Sequence, residues 1–292
     1  MTGTAAAPAR PVARWRLGTL NVRELLDDTV ALRRVLTAGA ADVWCLQEVP
    51  THPLAVHRLG DLAADVGLWV VAAGFAGAGT AVLAAPRVDV RAGAVRALPT
   101  PVLRGRRLVR HRGVAEAVVR LPLARAWSGE VLVRSVHLGL DETERVRHAA
   151  LVAPWTRPAG PCDPWRAAPL VLAGDLNEER RGPAHDRLAT VLADAAATTG
   201  TEFATFPARR PRRRLDVVLV DRRLGVTGTW TPDVGAAAAA ATDHLAVVAD
   251  LLVPGPEALR GDPHPGGTHL GGTHLDGAGS GTREQQEGRQ EG

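Results

Sequence analysis

Between Leu170 and Glu178 the chain reads LVLAGDLNE, and this stretch constrains the fold more than any other. Its first four residues, Leu170 to Ala173, have the length and composition of a buried strand. Gly174 ends the run, and Asp175 and Asn177 follow two residues apart. Side chains two apart on an extended chain point the same way, so a carboxylate and a carboxamide project together from the strand's C-terminal end. In open α/β sheets that end is where ligands bind. Taken alone, GDLN reads first as an Asx-type turn in which both side chains cap backbone.

Composition shifts that reading. The chain has no Lys, Ile or Tyr, and Arg supplies every basic side chain. Asn21 and Asn177 are the only asparagines, and Gln47 is the only glutamine before the C-terminal tail. Ordinary turns in such a chain fall to Gly, Pro, Asp and Thr, so a retained Asn marks a place where amide chemistry is required.

At 292 residues, 46% apolar and 23% charged, the chain can bury a substantial globular core. No apolar run reaches membrane-spanning length. The N-terminus has no continuous apolar segment of the secretory type, so a cytoplasmic address is expected. Cys45 and Cys162 do not make a disulfide framework, and Cys45 reads as a small core hydrophobe. The net charge of +4 divides into −3 from Pro254 onward and +7 before it, and a basic body suits phosphate-bearing partners.

In chain order, a first strand spans Trp15–Glu24 and ends at Asn21, and a helix is expected from about Glu24 to Ala38. ADVWCLQEVP forms a second strand that runs into Gln47 and Glu48 and stops at Pro50. Leu54–Val66 has helical spacing. Leu68–Ala73 and Thr80–Ala85 read as strands joined by the Gly-rich turn GFAGAG, and Val114–Leu121 with Glu130–Leu138 as a hairpin ending near His137. ETERVRHAALVAPW is a helix from Glu142 with acids in its first turn, and Pro183–Ala193 is a short helix. Strands follow at Arg212–Asp221, Gly225–Thr231 and Thr242–Val253, the last apolar on both faces. Paired strands separated by single helices suggest two mixed sheets packed together with helices outside. Residues 1–13 are expected to be flexible and 14–253 to form one domain. The Gly-, Pro- and Gln-rich tail 254–292, with its repeated GGTHL, is expected to be disordered.

Polar residues recur at the strand ends: Asn21, Glu48, His137, Asp175 with Asn177, Asp216, and Asp243 with His244. Each alone has a structural explanation as a cap, a turn or an ion-pair partner. Together, the series TLNVRE, CLQE, SVHLGL, AGDLN, RRRLD and TDH resembles the endonuclease/exonuclease/phosphatase superfamily of DNase I-like phosphoesterases, in the family's order from about Arg16 to Val253. The resemblance implies a four-layer α/β sandwich and divalent-metal hydrolysis of phosphate esters, with Mg²⁺ as cofactor and Mn²⁺ as a substitute.

By that similarity Glu48 is the metal carboxylate, with Asn21 beside it. Asp175 orients or deprotonates the water, and Asn177 donates to a phosphate oxygen. His137 and His244 hydrogen-bond the phosphoryl oxygens, and Asp216 and Asp243 set the tautomer and charge of His244. The pattern departs from the family in two places. Where many relatives carry a Tyr, an Asn or a second carboxylate, GAGTAVLAA offers only Thr80, which leaves open how His137 is positioned. Thr242 stands where relatives usually have Ser.

Two arginine clusters flank these motifs: Arg104, Arg106, Arg107, Arg110 and Arg112, then Arg209, Arg210, Arg212, Arg213 and Arg214. Arg112, Arg212 and Arg214 are candidates to bind substrate as phosphate forks, suited to nucleic acid or to an anionic lipid headgroup. The alternative is that an Arg-only composition places such runs on any solvated loop. Nuclease, sugar or inositol phosphatase, and lipid-headgroup phosphodiesterase all stay open, with a monomer expected. From another class, a catalytically silent Arg-rich nucleic-acid-binding module on the same fold would need neither Asp175 nor Asn177.

Overall fold

Strands that are apolar throughout need cover on both faces. The computed structural model provides it, and describes residues 12–100, 103–104, 107–108, 111–124, 126–153 and 168–259. The first half contains β1 (Val12–Asn21), α1 (Thr29–Gly39), β2 (Val43–Gln47), α2 (His57–Asp65), β3 (Trp69–Ala72), β4 (Ala81–Ala84), β5 (Asp89–Leu98), β6 (Leu103–Arg104), β7 (Arg107–Leu108), β8 (Arg112–Arg120) and β9 (Val131–His137). Then follow α3 (Glu142–Val152), β10 (Leu170–Asp175), α4 (Pro183–Ala189), β11 (Leu192–Asp194), α5 (Ala195–Thr199), β12 (Asp216–Asp221), β13 (Gly225–Trp230), α6 (Ala236–Ala241), β14 (Val247–Pro254) and α7 (Pro256–Leu259).

Two mixed six-stranded sheets result, ordered β13-β14-β1-β2-β4-β3 and β11-β12-β10-β9-β8-β5. The expected α/β sandwich is the observed one. Alternation along each strand divides the apolar side chains between three cores. Val43 and Cys45 of β2 face inward with Val171 and Ala173 of β10, between the sheets. Trp44 and Leu46 face outward beneath Leu32, Val35 and Leu36 of α1 and Leu59 and Leu62 of α2. Leu170 and Leu172 face outward beneath Ala149 and Val152 of α3 and Leu188 of α4. Burial pushes the Cys45 thiol far above its ordinary pKa, so it behaves as a core hydrophobe.

Gly174 has φ +152°, and a Cβ there would stand 1.9 Å from the Val136 carbonyl oxygen of β9. Only glycine lets β10 lie this close to its parallel neighbour. Asp175 then falls in register with His137.

Several boundaries differ from expectation. The first helix starts at Thr29, because Arg23, Glu24 and Leu25 have positive φ and form a 3₁₀ turn. Asp28 accepts hydrogen bonds from the Val30 and Ala31 amides and so caps the helix there. The last strand begins at Val247, five residues after Thr242. The ordered body also continues past Pro254. Leu259 of α7 is buried against Gly129, whose amide donates to the Pro254 carbonyl at 3.0 Å. Residues 1–11, the tail from 260 with its three histidines, Cys162, and the side chains of Arg104, Arg106, Arg107 and Arg110 lie outside the described residues. Among those described, no helix is long and apolar enough to cross a membrane.

Leu259→Ala is expected to cost about 2 kcal/mol and to lower Tm by about 4–8 °C. Thermal unfolding of a chain ending at Pro254 should show a similar loss, and one ending at Leu259 should keep the full Tm.

Candidate active site

Strand direction gathers the polar strand ends. The parallel pair β1 and β2 sets Asn21 opposite Gln47, immediately before Glu48, and the parallel pair β9 and β10 sets His137 opposite Asp175. β12 is antiparallel to β10 and begins with Asp216 opposite Asp175. β14 is antiparallel to β1, so the segment Thr242–Ala246 before it lies at the same edge, where Thr242 Oγ1 donates to the Asn21 carbonyl at 2.9 Å. Hydrogen bonds close the gap between the sheets. Asn21 Nδ2 donates to Asp175 Oδ2 at 3.2 Å, and Gln47 Nε2 donates to Ser135 Oγ at 3.0 Å.

GDLN makes both the turn and the cluster. Asp175 Oδ1 accepts from the Asn177 amide at 2.8 Å, an Asx-type contact that sets φ of Asn177 at +51°. Asn177 Nδ2 donates to the Leu138 carbonyl at 2.9 Å and lies 3.0 Å from His137 Nε2. Glu178, to which no role is assigned by motif, anchors this turn. Its Oε2 accepts from the amides of Ala184 and His185 at the start of α4, and its Oε1 accepts from Arg145 at 3.0 Å. Pro183 at the first helical position, five residues on, is the sequence signal for such a cap.

Thr80 does not enter the cluster: it is fully buried and donates to the Gly77 carbonyl at 2.7 Å. His137 is positioned from β8 instead, by the buried Arg112, whose Nη1 lies 3.1 Å from Nδ1. The Arg112 guanidinium, which only donates, thus faces Nδ1, while the Asn177 amide faces Nε2. Nε2 also lies 3.5 Å from Asp175 Oδ2 and 3.9 Å from Glu48 Oε1. Arg112 therefore reaches the cluster through His137. Arg212 is exposed on the loop before β12. Arg214 is committed elsewhere, since Asp194 takes its guanidinium at 2.7 and 2.9 Å and it lies over the Phe203 ring.

The second histidine faces a carboxylate in place of a guanidinium. His244 Nδ1 is 2.8 Å from Asp216 Oδ2, and the ring leans on Phe206 with centroids 4.9 Å apart. Burial opposes its protonation, but the charge and hydrogen bond of Asp216, then the charges of Asp175 and Asp243, outweigh it and raise the pKa to about 9. Asp243 contributes through charge alone. Its half-exposed carboxylate lies 3.4 Å from Thr242 Oγ1 and 3.8 Å from Arg23 Nε. Asp175 is pushed up to about 7, first by burial and then by the charge of Asp216, against the pull of His244, the Asn177 amide and Asn21.

Asp175, Asp216 and His244 offer donor atoms within 4.8 Å of one another. A protonated imidazole has no lone pair for a metal, which leaves carboxylate oxygens, those of Asp175 and Asp216 and of the nearby, less buried Glu48, as the candidate donors. Three carboxylates, Glu48, Asp175 and Asp216, converge here against two cations, His244 and the Arg112 guanidinium behind His137, and Asp216 Oδ1 is buried with no hydrogen-bond partner. Hard oxygen donors in excess of positive charge fit a divalent cation such as Mg²⁺.

The model of the Endonuclease/Exonuclease/phosphatase family matches residues 18–244. Among solved structures, the chain is similar to an endonuclease/exonuclease/phosphatase from Bacteroides vulgatus, with 19% identity and TM-score 0.66 over 82% of this chain and 98% of that one. The mannosyl-6-phosphatase Bt3783 of Bacteroides thetaiotaomicron gives 17% identity and TM-score 0.63 over 81% and 99%. D. rerio TDP2 complexed with a single-strand DNA product gives 16% identity and TM-score 0.58 over 82% and 98%. At these identities the likeness establishes the fold alone. No curated protein matches the sequence. With its motifs inside the matched span and its sheets in the fold of these neighbours, the chain belongs to the endonuclease/exonuclease/phosphatase family.

Proposed function

We propose that the chain is a divalent-metal-dependent phosphoesterase that hydrolyses phosphate esters by in-line attack of water. Asp175 carries the reading. A carboxyl group whose pKa lies near 7, set between two histidines and two asparagines, is poised to take a proton from water at neutral pH. Glu48 and Asn21 would hold Mg²⁺ or Mn²⁺, which supplies charge neutralisation at the phosphate oxygens. Asp175 orients the water and accepts its proton. Asn177, fixed through Leu138 and Glu178, donates to a phosphoryl oxygen. Cationic His244 donates from Nε2 while Asp216 holds Nδ1, and His137, its ring held by Arg112, hydrogen-bonds another phosphoryl oxygen. These fixed donors bind the trigonal-bipyramidal phosphorus better than the ground state.

The other reading, a silent nucleic-acid-binding module, is favoured only by the exposed arginines of the 209–213 loop. Hydrolysis of bis-p-nitrophenyl phosphate separates the two. Turnover should require Mg²⁺ or Mn²⁺ and stop with EDTA. Glu48→Gln should abolish it and weaken Mg²⁺ binding with the fold intact, and undiminished activity in that variant would refute the metal assignment.

Asp175, Asn177 and His244 serve one transition state. Each change to Ala should lower kcat by about a hundredfold or more with little change in KM. The Asp175/His244 double variant should lose far less than the product of the two single losses, and strict multiplicativity would separate their roles.

Asp175 also predicts a stability signature in metal-free protein. A carboxyl whose folded pKa is raised from 3.8 to about 7 stabilises the fold most when protonated, and that contribution is lost as pH rises through about 7. The Tm difference between Asp175→Asn and the parent, measured in EDTA, should therefore shift in favour of the variant between pH 5 and pH 8. A pH-independent difference would contradict the raised pKa.

A further inference from the structure

Exposed leucines and phenylalanines scattered singly over a surface carry no information. Here they are not scattered. Leu26, Leu54, Phe75 and Leu140 are 69%, 80%, 85% and 79% exposed, more than any other large apolar residue described. All four sit on loops at the edge that holds the candidate active site. Leu26 follows β1 and Asn21, Leu54 follows β2 and Glu48, and Phe75 lies between β3 and β4. These strands are neighbours in one sheet. Their loops are bound together: the Val49 amide donates to the Gly79 carbonyl at 2.9 Å, and Arg58 donates to the Leu25 carbonyl. Leu140 follows His137 on the facing sheet, and the Phe75–Gly77 turn packs on Gly113 beside Arg112.

Across the same mouth the character changes from apolar to basic. The 205–214 loop is tied to the His244 segment, with the Ala208 amide donating to the Asp243 carbonyl and the Leu245 amide to the Thr205 carbonyl. It exposes Arg209, Arg210, Arg212 and Arg213. Arg213 pairs with Glu179 at 3.4 Å, while among the described residues no carboxylate pairs with Arg209, Arg210 or Arg212.

We propose that this edge is a docking surface for an anionic lipid bilayer, which presents a headgroup phosphate ester to the site. Apolar side chains on adjacent loop tips enter the headgroup boundary, and the arginines meet the negative surface. Three of the four apolar positions are leucine, which neither stacks on bases nor pairs with them, so the chemistry favours lipid over single-stranded nucleic acid. Only the headgroup substrate rests on the phosphoesterase reading; docking is read without turnover.

The test is cosedimentation of the full chain with phosphatidylcholine vesicles, with and without phosphatidylglycerol, beside binding to single-stranded DNA. Binding to the anionic vesicles should exceed binding to the neutral ones by about tenfold or more. Leu54→Ser with Phe75→Ser should lower it by about tenfold, leaving hydrolysis of soluble bis-p-nitrophenyl phosphate unchanged. Arg209→Gln with Arg210→Gln should lower it in a salt-dependent way. Absence of vesicle binding, full vesicle binding by the Leu54/Phe75 variant, or DNA binding that the anionic vesicles do not compete would each overturn the proposal. Vesicle binding without hydrolysis of any ester would leave docking in place and remove the phosphoesterase reading instead.

Discussion

The hydrogen bond from Asn21 to Asp175 joins, at the edge of the candidate site, two sheets that meet mainly through apolar side chains, with Gln47 and Ser135 making a second polar link between them. It links β1 to β10 where both strands end, and it draws on the one carboxylate that the chemistry most needs. A buried carboxylate is costly to hold, and this one stands beside a second, Asp216. The site answers with donors from several directions: the Asn21 amide, the Asn177 backbone and cationic His244. Removing any one weakens the compensation of that buried charge, so stability and function at this edge depend on the same contacts.

The two histidines show how environment divides identical side chains between roles. His244 faces the Asp216 carboxylate on Nδ1 and is held charged, whereas His137 faces the Arg112 guanidinium there. Both turn Nε2 toward Asp175 Oδ2, at 3.5 and 3.8 Å. The same ring orientation thus arises from opposite partners. Thr80 donates to the Gly77 carbonyl, and His137 is positioned by Arg112 from β8.

Much of this was legible in the sequence, for a specific reason. A strand covered on both faces is written as an apolar run, and a polar residue ending it stands out, as Asn21, Glu48, His137 and Asp175 do. What escaped lacks that contrast. β5 lies at a sheet edge with its side chains mostly half-buried or exposed, so its alternation is weak. The alanine run of α6 has no polar face to betray a helix. Arg214 stands two residues before Asp216 yet turns to Asp194, and the partnership of Arg112 with His137 spans 25 residues of chain. Local pattern finds where a side chain leaves the backbone; its partner is a property of the packed sheets.

Gly174 has a consequence for how this site responds to mutation at large. Because the Val136 carbonyl fills the space where a Cβ would lie, any side chain at this position pushes β10 away from β9. Asp175 and His137 would move apart together, and Asn177 with them. In a broad survey of variants Gly174 would score as an essential catalytic position, although it has no group that could touch a phosphate. Its contribution is the absence of an atom, and the tolerance of the site is set as much by that spacing as by the acids and amides it aligns.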